Sequence, residues 1–143
     1  MDALSKVGFG MMVAGLAMLL TQRLVLSPSV PVIVLQLAAV ALMVWARLTF
    51  GRRSFHATAS PTRGGIVRTG PYRWLRHPIY TAATLFGWAC WLGHPSWFSA
   101  SMAGLMTAGA VLRMFVEESL LVARYPEYAD YARTTRRMVP FLF

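Results

Sequence analysis

Acidic side chains are scarce in this chain. Its 143 residues hold five carboxylates, Asp2, Glu117, Glu118, Glu127 and Asp130, and none between Asp2 and Glu117. Charged residues of both signs reach only 13%, while hydrophobic residues reach 57%. A soluble domain carries about 25% charged and about 45–50% apolar residues. The shortage of charge excludes an ordinary soluble domain, and the apolar excess excludes a disordered chain. Cysteine is nearly missing as well. Cys90 alone permits no intramolecular disulfide and no multi-cysteine metal site. The three histidines, His56, His77 and His94, have no metal-ligand spacing, so no metal is expected. Serine and cysteine nucleophile motifs are absent. Gly64 and Gly65 follow no strand pattern, which removes a Rossmann or P-loop phosphate cradle.

The chain does hold a large excess of base, Lys6 and thirteen arginines, for a formal charge of +9. Such a balance calls for an anionic partner, either nucleic acid or anionic lipid. Distribution decides between them. Arg47, Arg52, Arg53, Arg63, Arg68, Arg73 and Arg76 fall in one segment flanked by long apolar runs. A nucleic-acid binder would embed such a patch in a polar surface. The expected partners are therefore a bilayer with anionic lipids at its cytosolic face and a lipophilic or small-molecule substrate, with no nucleic acid.

Apolar blocks run over residues 4–20, 30–46, 79–93 and 97–112. A membrane span needs about 20 residues, with about 17 as the short limit. The last two blocks are short and read as a helical hairpin turning at Gly93-His94-Pro95-Ser96. Trp88, Trp91, Trp97 and Phe98 near its tip suit an interfacial aromatic belt. The expected fold is all-α: a multi-pass transmembrane bundle of about four helices plus a C-terminal interfacial helix over 126–137. Residues 1–143 form a single membrane domain. Two N-terminal helices occupy 1–50, a cytosolic basic loop 51–78, the hairpin 79–123 and an interfacial tail 124–143. The positive-inside rule puts the arginine segment and both termini in the cytoplasm. The first block resembles a signal peptide in having Lys6 and an apolar core. It has no small-x-small pattern before Gln22, so an uncleaved helix is expected. Ala100, Gly104 and Ala108, four residues apart, predict close helix packing on the fourth helix.

Glu117 and Glu118 continue the fourth helix with Arg113 one turn earlier on the same face. A mid-membrane carboxylate costs roughly 3 kcal/mol on insertion scales, so the pair belongs at the interface or in ion pairs. One reading is a pair that fixes the helix depth. The other is a polar site facing the cytosol. Counting outward from the hairpin turn places Arg76 and Arg113 at one depth and the glutamates ~6 Å further out. One site can then gather Tyr72, Arg76, His77, Tyr80, Arg113, Glu117 and Glu118. Gly64, Gly65, Gly70 and Pro71 shape the loop above it. His77 before Pro78 suits the first turn of the third helix.

The stretch Gly70-Pro71-Tyr72-Arg73-Trp74-Leu75-Arg76-His77-Pro78-Ile79-Tyr80 resembles the signature of the isoprenylcysteine carboxyl methyltransferase family. The resemblance extends through the hairpin to Glu117-Glu118, then to Tyr125-Pro126-Glu127-Tyr128-Ala129-Asp130-Tyr131 and Val139-Pro140. It covers about residues 63–143 and departs at Ala82, where the family pattern has glycine. It implies an integral-membrane methyltransferase that uses S-adenosylmethionine at the cytosolic interface. By this resemblance Gly64, Gly65, Ile66 and Val67 line the cofactor through backbone, and Tyr72, His77, Pro78, Ile79 and Tyr80 contact it. Glu117 holds a polar cofactor group, with a register open by one residue. Arg113 faces an anionic substrate group, and Glu118 joins it as a catalytic candidate. The acceptor is left open among a carboxylate, a thiol and an amine. The short chain suggests a compact prokaryotic relative, in a bacterial inner membrane. Two other readings compete. Sterol-type reductases share an x-Pro-x-Tyr hairpin and use NADPH, but they carry a glutamate where this chain has Thr81-Ala82-Ala83. A non-enzymatic subunit binding anionic lipid explains the arginines but not the Glu pair beside Arg-His-Pro-x-Tyr.

Overall fold

The structure, a computed structural model, describes residues 2–51 and 66–139. Within them the chain is all-helical, with five α-helices: α1 (Asp2–Thr21), α2 (Val30–Phe50), α3 (Pro78–Gly93), α4 (Trp97–Arg124) and α5 (Tyr128–Thr134). A short 3-10 turn, Gly70–Arg73, precedes α3. Pro78 opens α3 at a position where its missing N–H is not needed. Ser96 and Ser99 start α4 with a reciprocal cap: Ser96 Oγ accepts from the Ser99 N–H at 3.1 Å, and the Ser96 N–H donates back to Ser99 Oγ at 3.2 Å. This ties off the helix at the hairpin turn, where the sequence places its breakers.

α3 and α4 form the antiparallel hairpin, with α2 against α3 and α1 against α4. Gln36 of α2 donates to Cys90 Sγ of α3 at 3.5 Å and to the Val25 carbonyl at 2.6 Å, which satisfies a buried amide in the apolar interior. Ser5, Gly8, Gly15 and Leu19 line the buried stripe of α1 at three- and four-residue spacing. The opposite face exposes Leu4, Val7, Val13 and Leu20, and α2 likewise exposes Val34, Leu37 and Leu48. Helices apolar on their exposed face belong in lipid. Residues 3–21 and 30–50 are long and apolar enough to cross a membrane. α3, with 16 residues, is shorter than that measure, and α4 carries Arg113, Glu117, Glu118 and Arg124 along its 28 residues.

Two expectations need correction. The predicted packing stripe of Ala100, Gly104 and Ala108 does not lie in the helix interface. A Cβ at Gly104 would meet nothing within 4 Å, and Ala108 is exposed. The close approach is at Gly109, whose added Cβ would lie 2.5 Å from the Gly8 carbonyl oxygen. The face turned to α1 is the next one around the helix, where Gly109 has Leu105 and Arg113, not small residues, at four-residue spacing. The C-terminal helix is also shorter than the predicted 126–137. It ends at Thr134, where Thr135 Oγ1 donates to the Tyr131 carbonyl at 2.6 Å. The following residues pair with the segment before α3 in parallel. The Arg76 and His77 N–H groups donate to the carbonyls of Arg136 (2.7 Å) and Arg137 (2.9 Å), and the Arg136 N–H donates to the Trp74 carbonyl (3.0 Å). Backbone pairing satisfies these groups in place of a helix. The tail thereby becomes a strap, and Met138 packs with Tyr80, Ala110 and Met114.

Candidate functional site

Where the start of α3, the outer part of α4 and the strap converge, their polar side chains form one connected row. Arg113, 6% exposed, donates from Nη1 to the Ser5 carbonyl of α1 at 3.1 Å and from Nε to the Tyr80 hydroxyl at 3.0 Å. The Tyr80 hydroxyl donates to Glu117 Oε2 at 2.9 Å. His77 stands between the two glutamates, Nδ1 3.6 Å from Glu117 Oε2 and Nε2 3.3 Å from Glu118 Oε1. Its ring stacks on that of Tyr80, centroids 5.6 Å apart and planes 17° apart. Helical periodicity builds this order. Arg113 and Glu117 are one turn apart on α4, and His77 and Tyr80 are one turn apart at the start of α3.

The two glutamates differ sharply in environment. Glu118 is buried, accepting from Arg137 Nε at 2.9 Å and the Tyr128 hydroxyl at 3.4 Å, with Arg76 Nε at 3.3 Å as a further ion pair. Glu117 keeps 30% of its side chain exposed. Among the described residues both its contacts run through Oε2, which leaves Oε1 as an acceptor without a partner there. Glu118 holds the start of α3, α4, α5 and the strap together. Glu117 is the more exposed of the two.

The electrostatics follow from these partners. Burial pushes the His77 imidazole toward neutrality, but hydrogen bonds and charge from Glu117 and Glu118 outweigh it and raise its pKa above 6.5. Burial pushes Glu118 up, and His77, Arg76 and Arg137 overcome that, holding it down at about 2. A raised His77 stabilises the fold fully below its ordinary 6.5 and loses that contribution as pH rises through the folded value. A depressed Glu118 stabilises above its ordinary 4.5 and loses it only as pH falls toward about 2. The melting temperature in detergent should therefore be highest between about pH 4.5 and 6.5 and fall on the alkaline side. In His77→Gln the alkaline fall should flatten; an unchanged slope would remove His77 as its source.

The structure brings Arg76, His77, Tyr80, Arg113, Glu117 and Glu118 into direct or one-step contact. Tyr72 lies beside them. It is buried, its ring centroid is 5.4 Å from that of Phe50, and its carbonyl accepts from the Tyr131 hydroxyl at 2.7 Å. Pro78 is fully buried, and Ile79 packs at the edge of the Tyr80 cluster. Ile66 and Val67 lie half-buried in irregular backbone. Gly64 and Gly65 fall outside the described residues. Four contributors were not legible as site residues. Ser5 and Phe9 bring α1 to Arg113, whose guanidinium sits 5.4 Å from the Phe9 ring centroid. Tyr128 and Arg137 bring the tail to Glu118. Only Ser5 left a signal, as a small residue three before Gly8 on the first helix.

A family model described as phospholipid methyltransferase matches residues 31–128. No curated protein and no solved structure matches the chain. The matched region takes in α2, α3 and α4 and every residue of the polar row except Arg137. α1 and the strap lie outside it.

Proposed function

The chain belongs to the phospholipid methyltransferase family, and from that premise we propose that it transfers a methyl group from S-adenosylmethionine to a lipophilic or small acceptor at the cytosolic membrane interface. The observation that carries this reading is the coincidence of the family match over 31–128 with the polar row at the end of the α3–α4 hairpin opposite its turn. In this reading α3 and α4 complete a four-span bundle. Both termini and the arginine segment face anionic lipid on the cytosolic side of a bacterial inner membrane. The acceptor class extends from a phospholipid headgroup, which the family's description suggests, to an isoprenylcysteine-type carboxylate, which the C-terminal motif suggests.

The residues suit the cofactor. Its ribose hydroxyls and ammonium are donors, and the open Oε1 of Glu117 is an acceptor placed beside a stacked His77–Tyr80 pair. S-Adenosylmethionine supplies a methyl group already activated on a sulfonium, so the protein's task is placement more than acid–base chemistry. The Tyr80 hydroxyl, receiving from Arg113 and donating to Glu117, fixes the direction of the Glu117 carboxylate. In this reading Tyr72, His77, Pro78, Ile79 and Tyr80 form the adjoining wall, with backbone at Ile66 and Val67. Arg113 orients an anionic group of the acceptor from the α1 side. Glu118 keeps the frame in register; should the acceptor be an amine or thiol, His77 or Glu118 is the group able to take its proton.

Calorimetric titration of the detergent-purified protein tests this. Wild type should bind S-adenosylmethionine, and Glu117→Gln should bind it about 10- to 100-fold more weakly, the range expected for a lost charge-assisted hydrogen bond. Binding of NADPH in place of S-adenosylmethionine would transfer the site to hydride chemistry. Binding of neither by folded protein would leave a lipid-binding subunit.

A further inference from the structure

One nitrogen in the row lacks what its neighbours have. Arg76 Nε is buried and makes no hydrogen bond, although it lies 3.3 Å from Glu118 Oε1. The contact gives charge attraction without a directed N–H···O bond. A buried guanidinium donor is costly to leave unmade. Glu118, by contrast, does not rest on Arg76 alone. Arg137, His77 and the Tyr128 hydroxyl already hold its two oxygens. Arg76 can therefore turn to another anion without leaving a buried carboxylate alone.

The neighbouring open group narrows the anion. Glu117 presents a free carboxylate oxygen, and it is linked through His77 to the same Glu118 that faces Arg76. An acceptor oxygen on Glu117 and an unbonded guanidinium N–H on Arg76, joined through Glu118 and His77, match a zwitterion, an ammonium and a carboxylate on one carbon. Arg113 is the alternative cation. It lies on the other side of Tyr80, engaged with Ser5 and over the Phe9 ring. We propose that Arg76 anchors the carboxylate of the cofactor's amino-acid end, and that Arg137 of the strap frees it by holding Glu118 in its place. Arg76 is a binding residue in this scheme and Arg137 a positioning residue. The proposal rests on the S-adenosylmethionine reading.

Two compounds that differ by one group separate the outcomes: S-adenosylmethionine and its decarboxylated form, titrated calorimetrically at pH 7. Wild type should bind the carboxylate-bearing compound about 10- to 100-fold more tightly, as a charge-assisted bond predicts. In Arg76→Gln the ratio should fall to near one, with a much smaller change for the decarboxylated compound, because Glu118 keeps Arg137, His77 and Tyr128. Arg137→Gln should lower the ratio too, since Glu118 then retains Arg76, and Arg137→Lys should restore most of it. A purely structural role for Arg137 would weaken both compounds equally and would overturn its part. A wild-type ratio near one, or a ratio that survives Arg76→Gln, would overturn the anchor. Should Arg76→Gln fail to fold, the Arg137→Gln and Arg137→Lys pair decides. Wild type that binds neither compound would sink the cofactor reading itself, a result distinct from equal binding of both.

Discussion

Glu118→Ala should be the most damaging single change at the polar row, lowering the unfolding free energy by about 3–5 kcal/mol, the range for breaking a buried ion pair from one side. Glu118 meets Arg76, His77, Arg137 and Tyr128. Its removal leaves the buried Arg76 without its carboxylate and cuts the strap from α4. Burial makes the loss large, because solvent cannot replace the missing charge. Glu117→Ala should cost much less, because its side chain is 30% exposed and its two partners keep others, His77 the Glu118 carboxylate and Tyr80 the Arg113 guanidinium. Denaturant titration in micelles measures both. A cost for Glu118→Ala below about 1 kcal/mol, the usual worth of an exposed pair, would mean that the row is wet and that Glu118 does not organise it.

One substitution at two glycines of α4 should give opposite signs. At Gly109 a Cβ would lie 2.5 Å from the Gly8 carbonyl oxygen, 2.9 Å from Met11 Cβ and 3.1 Å from Met12 Cγ. The nearest obstacle is backbone, which cannot rotate away, so α1 must move off α4. Gly109→Ala should therefore destabilise by about 1–3 kcal/mol, the range for overpacking. It should also weaken cofactor binding, because the same displacement lengthens the Arg113–Ser5 bond, 3.1 Å in this structure. At Gly104 the space is open, and alanine is a better helix former by about 1 kcal/mol. Gly104→Ala should be neutral or stabilising. Equal effects at the two positions would mean that α1 does not approach α4 where the structure places it.

Those two glycines show what pattern alone can and cannot fix. Four-residue spacing of small residues at Ala100, Gly104 and Ala108 announces a close approach, but the approach is made at Gly109, which has Leu105 and Arg113 four residues away and so no such spacing. Which face is used depends on α1, and no rule of spacing names the partner helix. The glutamates show the same division. Their position on α4 one turn after Arg113, and their nearness to His77 and Tyr80, follow from helical periodicity and the hairpin turn. Their difference does not, since both are glutamates at consecutive positions. The strap makes it, pairing with residues 74–77 and laying Arg137 on Glu118 but not on Glu117.

By itself the sequence determined the all-helical class, the hairpin at 93–96, the helix start at Pro78 and the gathering of Arg76, His77, Tyr80, Arg113 and Glu117-Glu118 around one place. Each is local: apolar periodicity, a breaker, a proline at a helix start, a count of residues along a helix axis. The tertiary structure alone decided that α1 supplies Ser5 and Phe9 to Arg113 and that the tail leaves its helix at Thr135 to become a strap. It also separated an open Glu117 from an enclosed Glu118. These are contacts between separate elements, from 10 residues apart in sequence for Tyr128 and Glu118 to 108 for Arg113 and Ser5, or between backbone groups. Backbone groups carry no residue identity to read, and distant partners leave no periodic trace in the chain.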